Sequence, residues 1–120
     1  MPTKAPEKTE TKPPKLGDVV DKGVLDDGRP FHDIWLAAGK VYRMTRITVP
    51  QSDQAWDMAL GEDDKINWRQ NNRQQVAFAI VTPPTTLDDF DKLAAVELAA
   101  LNRAFDDLNS LPPADASGNA

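Results

Sequence analysis

The chain has 120 residues, 40% of them apolar and 28% charged, with ten prolines, six glycines and no cysteine. That composition excludes a collagen, a membrane span and a disulfide scaffold, and the missing thiols exclude cysteine nucleophiles and thiolate metal sites. The net charge of −5 is unevenly spread, with +2 on residues 1–16, −2 on residues 17–81 and −5 on residues 82–120, so the acidic C-terminal third gives nucleic acid no electrostatic reason to bind.

Residues 1–17 read as a disordered basic leader, because four prolines and four lysines among the first 16 positions leave no apolar periodicity from which to build a core. Residues 18–110 read as a single α+β domain, and 111–120 as a disordered tail. About 90 residues suffice for one small core but not for a deep catalytic cleft. The first residues lack the apolar run of a signal peptide and the longest apolar run, residues 76–81, is too short for a membrane helix. A cytoplasmic location away from membranes is therefore expected.

The first element is a short hairpin, since Asp27-Gly28 supplies the positive φ that a tight turn needs. Phe31, Ile34, Trp35 and Leu36 fit either a strand or one helical turn. After the break at Ala38-Gly39-Lys40, the β-branched and aromatic residues from Val41 to Val49 predict a strand that Pro50 terminates. Ser52 then predicts an N-cap, with a helix over residues 53–60 carrying Ala55, Trp56, Ala59 and Leu60 and closed by Gly61. The acids Glu62, Asp63 and Asp64 precede a helix predicted over residues 65–81, polar in its first half and apolar in its second. Thr86 with Asp89 predicts a capped start, from which Leu87, Phe90, Leu93, Leu98, Leu101, Phe105 and Leu108 make one helical face, with a break near residues 92–95.

Chemistry is thinly represented. His32 beside Asp33 is the minimal acid–base pair, but Ser52 reads as a helix cap and Ser117 lies in the tail, so His32 reads as a loop or strand-edge residue. Three of the four carboxylate clusters sit at a turn or a helix start, where each has a structural role, and Asp26-Asp27-Gly28 lacks the alternation and the distal glutamate of a calcium loop. No phosphate-cradling glycine motif occurs. Neither catalytic nor metal-binding residues are expected, and no cofactor. The helical stripe reads first as half of a small core. Part of it, with Phe90, Leu98, Leu101, Phe105 and Leu108, is also the expected surface for another chain, joined by the polar face of Trp68, Arg69 and Arg73. Self-association is a further way of completing burial in a domain of this size.

The order of signals resembles a known family. It runs from the Asp27-Gly28 turn and the strand end Ile47-Thr48-Val49-Pro50 through a short helix with Trp56, then Asn67-Trp68-Arg69-Gln70-Asn71-Asn72-Arg73-Gln74-Gln75. Pro83-Pro84 follows, then Thr86-Leu87-Asp88-Asp89-Phe90 and the closing Leu101-Asn102-Arg103-Ala104-Phe105-Asp106-Asp107-Leu108. Over residues 23–109 this is similar to the small tail assembly chaperones of long-tailed bacteriophages. The resemblance implies a non-enzymatic protein that keeps the tape measure protein soluble in the host cytoplasm until tail tube protein polymerises around it. It also implies absence from the mature virion. The alternative expectation is a structural virion protein, such as a head–tail connector or tail completion subunit.

Overall fold

The computed structural model describes residues 12–110; the expectations for residues 1–11 and for the tail lie outside that range. Four antiparallel strands, β1 (Val19–Val24), β2 (Pro30–Ala37), β3 (Lys40–Thr45) and β4 (Ile80–Thr82), form a sheet in the order β1-β2-β3-β4. The helices are α1 (Val49–Ala59), α2 (Trp68–Ala79), a single turn α3 (Leu87–Phe90) and α4 (Ala95–Asn109). This is the expected α+β class.

Both hairpins follow turn chemistry. Gly28, at φ 93°, closes β1 onto β2 with its N–H donating to the Leu25 carbonyl, and Gly39, at φ 74°, sits in the two-residue connection from β2 to β3. Phe31, Ile34, Trp35 and Leu36 belong to β2, so the choice left open by their spacing resolves to a strand. The sheet begins well before the predicted Asp27-Gly28 turn, with β1 starting at Val19. The Gly17 N–H donates to the Trp35 carbonyl and the Trp35 N–H to the Asp18 carbonyl, which places the end of the expected leader on β2.

Three predicted boundaries move, each because a residue has a second conformational use. Pro50 does not end a strand; β3 stops at Thr45, and Thr48 caps α1 with a reciprocal bond to Gln51 while Pro50 occupies the first turn. Proline fits there because the amide it lacks would have had no helical partner. Ser52, expected as the cap, already donates its N–H to the Thr48 carbonyl inside the helix. The second helix starts at Trp68 on an Asn67 cap, leaving Glu62, Asp63 and Asp64 in the preceding connection rather than at its N-terminus. It ends at Ala79, where Ile80-Val81-Thr82 straightens into β4 beside Arg43 and Met44. The expected capped start at Thr86 and the break before the last helix are both present.

Ile34, Leu36, Tyr42 and Met44 form the inner face of the sheet, closed by Val76, Ala77, Ala79, Ile80, Phe90, Leu101, Ala104 and Leu108. Helix α4 crosses β2 and β3, α2 lies beside it, and α1 packs on α2 through Ala55 and Ala59. The Lys40 ammonium bridges both Glu97 carboxylate oxygens, at 3.0 and 3.1 Å, fixing the β2–β3 turn to the start of α4. On the opposite face of the sheet the Phe31 ring lies across Gly23, where a Cβ would come within 2.6 Å of it. Arg43 stacks 3.8 Å from the ring centroid and pairs through two nitrogens with Asp33.

Candidate functional site

A trough runs along α2, with α4 as one wall and the start of α1 closing it at the Ile47 end. Trp68, Asn72 and Gln75 recur at steps of four and three on α2, which puts them on one side of that helix. A hollow of about 280 Å³ is lined by Asn72, Gln75 and Val76 from the floor and by Asn102, Phe105 and Asp106 from α4. An adjoining hollow of about 310 Å³ shares Gln75 and Phe105 with it and adds Ile47, Val49, Ser52 and Asn109. At the other end of α2, Trp56 and Trp68 meet edge to face with ring centroids 5.5 Å apart.

Local hydrogen bonds hold the walls. Asn109 accepts from the Ile47 N–H and donates to the Phe105 carbonyl, both at 2.9 Å, and Arg46 donates to the Leu108 carbonyl, so the end of α4 is fastened to the segment that opens α1. At the far end the Asn67 N–H donates to the Ala59 carbonyl and Gln70 donates to the Met58 carbonyl, joining the end of α1 to the start of α2. The buried residues of α1 are its alanines Ala55 and Ala59, and large residues on or just after it stay partly outside: Val49 is 75% exposed, Trp56 43% and Leu60 41%.

The expected docking residues divide sharply. Phe90, Leu101 and Leu108 are core residues with at most 3% of their surface exposed, which leaves them nothing to offer another chain. They are buried because α4 is the principal cover of the sheet's inner face. Leu98 and Phe105 are half-buried at its margin, and Phe105 alone of the two lines the trough. Trp68 is exposed at the start of α2, on the side that carries Asn72 and Gln75, whereas Arg69 and Arg73 line a separate hollow with Leu87, Asp88 and Asp91. Thus Trp68 and Phe105 are brought to one surface and the arginines are not. Trp56, Val49, Asn72 and Gln75, which share this surface, were not among the expected docking residues; the mixture of alanines and large apolar residues on α1 was the available signal.

His32 shares the helix-covered face of the sheet with Ile34 and Met44, with its Nδ1 buried and unbonded among the described residues. Burial pushes its pKa below the ordinary 6.5, Lys22 adds to that, and Asp107 opposes it. No group of three His, Asp or Glu side chains among the described residues converges on a metal position, and no described helix is long and apolar enough to cross a membrane.

Stability should respond to acid in two stages. His32 is held below its ordinary pKa, so the folded chain binds fewer protons than the unfolded one as pH falls through 6.5, and the stabilisation present above that value declines. Asp27, Asp89 and Glu97 are lowered mainly by accepting the backbone N–H groups of Arg29, Thr86 and Ala94, with Arg29, Lys92 and Lys40 assisting in turn. Their contribution is complete above the ordinary carboxylate range and disappears as pH drops below it. Urea midpoints measured from pH 8 down to about pH 3 should fall in both windows, and His32→Gln should remove the upper stage alone. A midpoint that stays flat to the carboxylate range in both proteins would contradict the histidine assignment.

Compared with protein-family models, curated proteins and solved structures, the chain matches none of them.

Proposed function

We propose that the chain is a non-catalytic assembly factor that holds an amphipathic helix of a second protein in the trough. The observation that carries this reading is the pair of aromatic anchors, Trp56–Trp68 at one end and Phe105 at the other, on a surface walled by two helices. Such a surface suits a helix laid between α1 and α4, with its apolar side down. Taken with the resemblance described above, the partner is a phage tape measure protein and the setting is the host cytoplasm before the tail tube forms.

Co-expression with a tape measure protein from the same genome tests this reading. The chain should raise the soluble yield of that protein and co-purify with it. Trp68→Asp should abolish the gain while circular dichroism and melting stay near those of the parent, and Phe105→Asp should abolish it at some cost in melting temperature because that ring also packs against the core, since losing an aromatic anchor costs about 2 kcal/mol or more of binding. Unchanged yield with both folded variants defeats the reading. Stoichiometric presence in purified particles would instead favour the structural virion protein.

A further inference from the structure

We infer that the helix received by the trough carries lysine or arginine along the edges of its apolar stripe; this rests on the docking function proposed above and adds the chemistry of the occupant. The inference comes from the segregation of charge around α2. Asp106 is the sole ionisable side chain lining the two hollows. On α1, Asp53 lies between Val49 and Trp56 at steps of four and three, and Asp57 lies one turn beyond it, so both border the exposed apolar edge of that wall. Beyond Leu60, at the Trp68 end, the connection carries Glu62, Asp63 and Asp64 against Lys65.

The nearby arginines are engaged or line other hollows. Arg46, beside Ile47, donates to the Leu108 carbonyl, Arg69 and Arg73 line the hollow shared with Asp88 and Asp91, and Arg103, one turn before Asp106, lines a hollow with Leu16, Val96 and Ala100. A visiting helix with an acidic border would face these carboxylates without compensation, whereas ammonium or guanidinium groups would meet them on both walls. Between the aromatic ends, Asn72, Gln75 and Asn102 offer neutral donors and acceptors, which tolerate polar side chains at the border and leave the sign of charge to Asp53, Asp57 and Asp106.

Two synthetic helices of about 18 residues test this, long enough to form a helix on docking. They share one leucine stripe and differ in carrying lysine or glutamate along its edges. Binding to the full chain is followed by tryptophan emission and by anisotropy of a label on the peptide. The lysine peptide should bind about tenfold more tightly in 50 mM salt, and the advantage should shrink in 500 mM salt as the exposed charges are screened. Asp53→Asn, Asp57→Asn and Asp106→Asn together should remove most of that advantage, weakening the lysine peptide and tightening the glutamate peptide, while leaving the melting temperature nearly unchanged. Equal affinities, or preference for the glutamate peptide, overturn the basic occupant but leave docking intact, provided Trp68→Asp weakens both. Failure of either peptide to bind or move the emission removes the docking function as well. A homodimer that Trp68→Asp dissociates would make a second copy the occupant and also overturn the inference.

Discussion

Leu101→Ala should lower the free energy of unfolding by about 3 kcal/mol, within the range for a fully buried leucine whose surroundings relax only in part. Leu101 has no exposed surface and stands where α4 meets the sheet residues and α2. The loss combines the transfer free energy of the removed carbons with the cavity they leave, and the helix cannot sink to fill it while the Lys40–Glu97 pair and the Asn109 bonds hold its two ends. Total stability in small domains is only about 5–15 kcal/mol, so the change should appear as a large fall in the urea midpoint with little change in slope. A loss under about 1 kcal/mol would show that the site is not packed as described.

Phe90→Ala should cost about 3–4 kcal/mol, the usual range for removing a buried phenylalanine. Here the consequence is more local in origin. Helix α3 is only four residues long, and one turn has no stability of its own in water. Thr86 and Asp89 cap it, but Phe90, 3% exposed, is what attaches it to the core. The variant should therefore lose amide protection over residues 87–93 under conditions where the central strands remain protected, and then unfold globally at a lower urea concentration. Full protection of that segment in the variant would mean that Leu87 and Leu93 suffice to hold it.

How much of this was legible in the sequence depended on whether a local signal had one meaning or two. The Asp27-Gly28 hairpin and the Thr86–Asp89 cap were readable because turn and cap chemistry act within three or four residues. Pro50 was misread because proline serves equally as the end of a strand and the opening of a helix. Ile80-Val81-Thr82 is apolar enough to continue α2 on paper, and only the open edge of β3 selects a strand. Tertiary pairing of that kind leaves no local mark. In the candidate site the periodicity located the α4 stripe but not its depth, since helical spacing alone gives no measure of which members lie under the sheet. Leu101 and Phe105 belong to the same stripe, yet one is core and the other borders a hollow.

Helix α2 passes into β4 without an intervening loop, with Ile80 serving both as its C-cap and as the partner of Met44. The trough floor and the sheet therefore move as one piece, and the α4 wall is fastened to the same piece by its buried residues. Helix α1 is held to α2 by Ala55 and Ala59, by the Trp56–Trp68 contact and by the Gln70 bond to the Met58 carbonyl, but it has no residue in the core under the sheet. On the docking proposed above, a client helix of greater girth would be accommodated by a shift of α1, which contributes no residue to the core under the sheet.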